Sequence, residues 1–93
     1  MSGSEFVENV KNWLRISTHS VDEEIEQVIE ACLIDLQNSG VKNPNLEDRL
    51  IQQAVKLYAK AQFGYDSNAS KFYDSYEYLK ISLALSGEYN GGN

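Results

Sequence analysis

The sequence is short of the residues that build most catalytic and metal centres. It holds one cysteine and one histidine, Cys32 and His19, in 93 residues. A single cysteine excludes an internal disulfide and a multi-cysteine zinc site, and one histidine alone does not build a metal site. The sequence also lacks a glycine-rich phosphate loop and any acid–base or nucleophile constellation. We therefore expect no enzyme, no cofactor and no metal: His19 should be an exposed loop residue and Cys32 a small buried hydrophobe.

Long hydrophobic runs are missing as well. No apolar segment approaches the roughly 20 residues that span a bilayer, and the N-terminus has neither the basic start nor the apolar core of a signal peptide. These features predict a cytoplasmic chain that does not contact the membrane. Its composition, 42% hydrophobic and 24% charged, is ordinary for a soluble protein, and its length predicts one domain over residues 1–93.

What the sequence does contain, most clearly, is a helix between Ser20 and Gly40. Ser20 and Glu23 have the spacing of a capping box, and Gly40 can take the left-handed conformation that ends a helix. Apolar residues recur along one face at helical spacing: Ile25, Val28, Ile29, Cys32 and Leu36. Three more widen this face and predict a helix covered on more than one side: Ala31, Leu33 and Ile34.

Two further helices flank this one. The first runs from a cap at Ser4 to about Ile16. Beyond the main helix, Pro44 forces a turn, and Asn45 can cap a third helix that Gly64 ends. The apolar residues of these two helices are Phe6, Val7, Val10, Trp13 and Leu14 in the first, and Leu50, Ile51, Ala54, Val55, Leu57, Tyr58 and Ala61 in the third.

A fourth helix is predicted before the C-terminal tail, ending at Gly87. Its apolar residues are Phe72, Tyr76, Leu79 and Leu83, and its cap stays open among Ser67, Asn68 and Ser70. Residues 1–4 form a loose leader, and the tail, residues 88–93, has too little apolar content to pack and is predicted to be flexible. Four helices with short links predict a compact all-α domain.

The net charge of −6 arises entirely within the first forty residues. Two basic residues face eight acidic ones there, whereas six of each sign balance in residues 41–93. Asp22, Glu26 and Glu30 form like-charge pairs at i, i+4 on the main helix, and no lysine or arginine of that helix relieves them. This acidic face is either a solvated surface or an interaction surface. The acidic balance argues against binding to phosphate backbones.

The third helix carries a line of basic and polar residues at spacings of four, three and four: Arg49, Gln53, Lys56 and Lys60. It is either a wet face opposite the apolar stripe or a surface that meets the acidic helix of an adjacent copy. A contact of the second kind joins different patches, so it propagates head-to-tail and can close into a ring.

Six tyrosines stand out, three of them on the fourth helix. Tyr73, Tyr76 and Tyr78 cannot all face one core, so at least one should be exposed. They are either half-buried aromatics around a small core or interface residues, where tyrosine is enriched.

Four segments together resemble a known family: VKNWLRI, VDEEIEQVIEACLIDLQNSGV, LEDRLIQQAVKLYAKAQFGY and FYDSYEYLKISLALSGEY. In their order and spacing they are similar to the small head–tail connector proteins of tailed bacteriophages and prophages, also described as DNA-packaging or head-completion adaptors. The resemblance covers about residues 6–89 and includes no catalytic motif.

This resemblance implies a non-enzymatic virion protein with a helical core. Such proteins form a ring beneath the portal, complete the filled head and give the tail or a stopper its docking platform. The implied location is the host cytoplasm during assembly and then the virion neck, where DNA passes through without specific binding. A tail anchored by Tyr89 could order only on contact with the portal. Candidate residues for the subunit or portal interface are Asp22, Glu26, Glu30, Arg49, Lys56, Lys60, Tyr73 and Tyr89.

An alternative remains open beside that interpretation. A small cytoplasmic helical module that binds a basic partner would also need an acidic helix and no catalytic residues. A strict monomer or dimer at all concentrations would favour such a module, and a high-order ring would favour the connector.

Overall fold

The computed structural model describes residues 3–63 and 68–92, which form four α-helices and no strand. The helices are α1 (Gly3–Leu14), α2 (Asp22–Asn38), α3 (Arg49–Phe63) and α4 (Ala69–Leu85). The predicted all-α architecture is confirmed, although α1 begins inside the segment predicted to be loose. Gly64, the residue predicted to end the third helix, lies outside the described residues. So does Ser67, one of the three residues that could cap the fourth helix.

One hydrophobic core joins the four helices, and α3 lies in its middle. α3 packs on α1, on α2 and, most extensively, on α4. Burying an aliphatic or aromatic side chain of this kind stabilises the fold by about 1.5–3 kcal/mol. The buried apolar residues are Phe6, Val7, Val10, Ile25, Ile29, Cys32, Leu36, Val41, Ile51, Ala54, Val55, Ala59, Tyr76 and Leu83.

The start of α2 differs from the prediction. The capping box at Ser20 is wrong, because the residue before the helix is Val21 and no side chain caps it. The Ser20 amide instead donates to the Thr18 hydroxyl at 3.2 Å, and the Asp22 amide donates to the His19 carbonyl at 3.2 Å. A backbone turn therefore opens α2 two residues later than the serine.

The end of α2 follows the prediction at Gly40, which has a φ of +115°. The Gly40 amide donates to the Gln37 carbonyl at 3.1 Å and the Val41 amide to the Leu36 carbonyl at 2.9 Å. These two bonds make a Schellman motif, in which glycine is favoured at the left-handed position. A Cβ at position 40 would lie 3.6 Å from the Cβ of Ala84, an ordinary contact distance, so the left-handed φ rather than lack of space favours glycine here.

The end of α1 and the start of α3 also depend on local backbone geometry and hydrogen bonds. α1 stops at Leu14 rather than near Ile16 because Arg15 turns left-handed, with φ +59°. The cap of α3 is not Asn45, whose side chain accepts from the Glu47 amide at 2.9 Å within the preceding turn. Asp48 caps the helix instead: its Oδ1 accepts from the Leu50 amide at 2.8 Å.

The apolar faces are narrower than predicted. Ile34 is 55% exposed and Ala31 is exposed, so α2 is not covered on more than one side. On α3, Leu50 is 45% exposed, and the buried line passes through Ile51 and Val55 instead. The predicted stripe of α4 holds, with two members buried and two half-buried: Tyr76, Leu83, Phe72 and Leu79.

The expectation that the tail is too polar to pack is wrong for Tyr89, which lies half-buried against the core. Its hydroxyl donates to the Asp48 carboxylate at 3.0 Å, and its carbonyl accepts from the Lys42 amide at 2.7 Å. The Asn90 side chain adds a bond to the Ala84 carbonyl at 3.2 Å. Tyr89 is therefore seated within the domain, whereas ordering of the tail on the portal and flexibility of residues 88–93 stay predictions.

Candidate functional site

A partly buried polar network links α2 to α4. The Tyr76 hydroxyl donates to Oδ2 of Asp35 at 2.5 Å, and the Lys80 ammonium donates to the same oxygen at 3.0 Å. Lys80 also pairs with Glu77 at 2.9 Å. Because Tyr76 is fully buried, its hydroxyl would cost free energy without this acceptor. The network therefore holds the two helices in one register.

The electrostatics of this network suit a structural role. Burial first, and then the bond to Asp35, raise the pKa of Tyr76. Burial opposes ionisation of Asp35, but the hydrogen bonds from Tyr76 and Lys80 outweigh it and lower the pKa of that carboxyl. Burial raises the pKa of the Cys32 thiol to about 12, and its Sγ lies 3.8 Å from the Tyr76 oxygen. Such a thiol is no nucleophile at neutral pH, as the sequence predicts.

A second charged cluster joins α1 to α2 around Lys11, which is only 2% exposed. Its ammonium lies 2.8 Å from Asp22, 3.7 Å from Glu8 and 3.1 Å from Nδ1 of His19. The bond from Lys11, followed by that from His19, lowers the pKa of Asp22 against the opposing effect of burial. A lysine of another helix therefore offsets the negative charge of Asp22. The sequence of α2 alone does not show this contact.

The donor atoms of Glu8, His19 and Asp22 lie within 4.8 Å of one another, a spacing that could hold a metal ion. The Lys11 ammonium already lies among them, paired with Glu8 and Asp22 and 3.1 Å from Nδ1 of His19. His19 is exposed, as predicted, with its side chain 80% accessible. The geometry therefore describes a lysine-centred ion cluster and gives no ground for a metal site.

The remaining acids of α2 lie on open surface. Glu23, Glu24, Glu26 and Glu30 are exposed and make no ion pair with another described residue. Three of them border a groove of about 510 Å³ whose apolar part comes from α2 and from the link before α3. We call it the acidic groove; its residues are Glu23, Glu26, Gln27, Ile29, Glu30, Leu33 and Leu46.

The predicted basic line on α3 is also at the surface. The Lys56 ammonium lies 5.5 Å from the centre of the Trp13 ring, and the Lys60 ammonium 5.2 Å from that of Phe72. Cation–π contacts of this kind orient a lysine without neutralising it. Arg49 and Gln53 are exposed and border a second cleft, of about 450 Å³, together with Lys56 and Trp13. We call Arg49, Leu50, Gln53, Lys56 and Lys60 the basic face.

The tyrosine prediction is confirmed, since Tyr78 is 77% exposed and Tyr73 44% exposed, whereas Tyr76 is buried. Tyr78 heads an exposed apolar stripe along α4 that continues through Ile81 and Leu85. Sequence reading missed this stripe. Its signal was the i, i+3, i+7 spacing of the three residues, which is helical but falls opposite the core stripe.

The eight candidate interface residues therefore divide into two groups. Asp22 and Tyr89 use their polar groups within the domain, on Lys11 and Asp48. The other six reach the surface in separate places: Glu26, Glu30, Arg49, Lys56, Lys60 and Tyr73. The structure does not bring the acidic and the basic candidates together within one copy.

The fold and its surfaces define a class of protein: a small all-α domain whose perturbed titratable groups hold helices together, while its free charges lie on open faces. A family model described as a phage connector protein matches residues 6–90. The chain therefore belongs to the phage connector family, and its role is that of a structural head–tail connector.

The other comparisons add no relative. No curated protein matches the chain, and no solved structure does. None of the helices in the described ranges is both long enough and apolar enough to cross a membrane.

Proposed function

We propose that copies of this chain assemble into a ring beneath the portal. Assembly takes place in the host cytoplasm, and the ring then lies in the virion neck. The ring completes the filled head and gives the tail or a stopper protein its docking platform. The observation that carries this proposal is the family match, which spans residues 6–90 and so nearly the whole chain. The role needs no catalysis, and the family is a structural one rather than a family of enzymes.

The surfaces support assembly of this kind. Among the described residues, the glutamates on α2 and the basic residues on α3 have no ion-pair partner. Because the two patches belong to different elements, their pairing is heterologous and can close into a ring. Glu26 and Glu30 supply the acidic side and Arg49, Lys56 and Lys60 the basic side. Tyr73, exposed on α4, supplies apolar area with a polar tip.

Asp22 and Tyr89 have a supporting part in this proposal. Asp22 holds the N-terminal end of α2 to α1 through Lys11. Tyr89 closes the tail over the start of α3 through Asp48. Both contacts keep an exposed surface in place: the Asp22 contact holds that of α2, and the Tyr89 contact holds that of α3.

The charge of the chain also suits a conduit for DNA. A net charge of −6 repels a passing phosphate backbone, which would otherwise bind to a basic wall. DNA then passes through the ring without specific binding.

Mass measurement with and without the portal tests the ring. We expect a concentration-dependent high-order species, or a ring that forms once the portal is added, visible in two-dimensional class averages. A monomer or dimer under every condition, including with the portal, would refute the proposal and favour the small interaction module.

DNA binding tests the conduit separately. We expect no retention of duplex DNA by the isolated protein at low salt. Tight binding that weakens steeply as salt rises would mean that the protein neutralises phosphates, and the conduit would then be wrong even if the ring forms.

A further inference from the structure

The acidic groove and the basic face have matching chemistry and matching spacing. The groove offers Ile29, which is buried, and Leu33, which is half-buried, beside the carboxylates of Glu26 and Glu30. The basic face offers an exposed leucine, Leu50, beside basic side chains. An apolar floor with an acidic rim fits an apolar side chain flanked by cations, which is the arrangement of an amphipathic helix in a groove.

The spacing of the charges agrees along the two helices. Glu23 and Glu30 are seven residues apart on α2, as Arg49 and Lys56 are on α3, so each pair spans about 10.5 Å at ~1.5 Å per residue. One helix laid along the other therefore brings both pairs of opposite charges together at once. The match holds in either direction of α3, because both pairs have the same length.

We propose that the acidic groove of one copy receives the basic face of a second copy of this chain. Leu50 of the incoming α3 covers the apolar floor, while Arg49 and Lys56 meet Glu23 and Glu30 on the rim. This inference rests on the proposed ring and adds its contact: α3 of one subunit lies along α2 of the next. The charges fix the register, and the apolar contact supplies most of the affinity.

Two exposed glutamines allow a test that changes no charge. Gln27 lies in the acidic groove, Gln53 lies in the basic face, and both are exposed. In either direction of α3, these two positions meet near the centre of the contact. The native Cys32 is buried and its pKa is raised to about 12, so it will not compete for a thiol reagent.

The experiment mixes a Gln27→Cys copy with a Gln53→Cys copy that carries a tag of different mass, and treats them with a short bis-maleimide. The matched control replaces the first partner by Gln37→Cys, which is exposed on α2 outside the groove. We expect several-fold more mixed dimer from the Gln27 and Gln53 pair than from the control pair. If the wild-type chain assembles but both pairs cross-link equally, the contact is wrong and the ring stands. If the wild-type chain never assembles, with or without the portal, both fail.

Charge exchange gives a second, independent readout. A Glu23→Lys, Glu30→Lys copy and an Arg49→Glu, Lys56→Glu copy should each associate with itself at least about 10-fold more weakly than wild type. Mixing them should restore association, because every groove then again faces the opposite charge. Failure of the mixture to associate, with both variants folded by circular dichroism, would overturn the proposed contact.

Discussion

The two aspartates of α2 and its four glutamates have the same charge but differ in their contacts with other helices. Asp22 and Asp35 are each held by a lysine from another helix, Lys11 at 2.8 Å and Lys80 at 3.0 Å. The four glutamates are exposed without such partners among the described residues: Glu23, Glu24, Glu26 and Glu30. The same helix therefore carries charges that stabilise the fold and charges that are available to a binding partner.

The comparison shows that a net charge along the sequence is a poor guide to where charge is free. The first forty residues carry the whole excess of −6, yet part of it is used at the contacts of α2 with α1 and α4. Only the glutamates that point away from both neighbours remain for a partner. Substitutions at the aspartates should therefore affect stability, and substitutions at the glutamates should affect assembly.

The largest effect on stability should come from Asp35→Ala. The change leaves the buried Tyr76 hydroxyl without its acceptor and removes one partner of Lys80. We expect a loss of about 2–3 kcal/mol in the free energy of unfolding, measured by urea denaturation. Glu30→Ala on the same helix is the matched control and should change it by no more than about 0.5 kcal/mol.

A similar loss for the two variants would erase the distinction between the acids. It would mean that the network between α2 and α4 contributes little beyond ordinary helix effects. Tyr76→Phe helps to separate the causes, because it removes the hydroxyl itself and leaves no unpaired donor behind. We expect this variant to lose less than Asp35→Ala.

A smaller loss should follow Lys11→Met. Methionine keeps an apolar chain of similar length in the buried position, but it leaves Asp22 and Glu8 without their cation. Because the Asp22 side chain is 35% exposed, water replaces part of the interaction, and we expect about 1–2 kcal/mol, below the ~3–5 kcal/mol of a fully buried pair. The control is Lys71→Met on the exposed surface of α4, which should be nearly neutral. Equal stability of the two variants would show that the buried lysine is not paired in solution.

The pH dependence of stability should include a contribution from Asp35. The pKa of Asp35 is lowered in the folded protein, so its contribution is present above the ordinary value near 4 and is lost as the pH falls through the lowered value. We expect stability to fall below about pH 4, with less than about 1 kcal/mol from Asp35 because its side chain is partly exposed. Asp35→Asn should flatten this fall. An unchanged slope in the variant would place the titration elsewhere.

Much of the fold could be predicted because it is written in local patterns. The helical spacing of Ile25, Ile29 and Leu36 and the left-handed position of Gly40 both depend on neighbours a few residues away. The errors came where two local solutions compete. Asn45 and Asp48 can each cap α3, and only the turn that occupies Asn45 decides between them.

The surfaces were harder to predict because pairing is a tertiary property. Nothing in the spacing of α2 shows that Lys11 will reach Asp22 from α1, or that Lys80 will reach Asp35 from α4. The tail was misjudged for the same reason. A single tyrosine, Tyr89, is enough to seat it, because Asp48 lies within reach of the hydroxyl only after the chain has folded.

The smallest effect on stability, and the clearest on assembly, should come from Glu26→Gln with Glu30→Gln. These glutamates repel each other at i, i+4, so neutralising both should leave the domain as stable as wild type or gain about 0.2–0.5 kcal/mol. The same change removes two of the three carboxylates on the rim of the acidic groove, and we expect self-association to weaken. Urea denaturation and mass measurement on one preparation check both outcomes. If the variant assembles as the wild-type chain does, these glutamates are solvated surface and have no part in assembly.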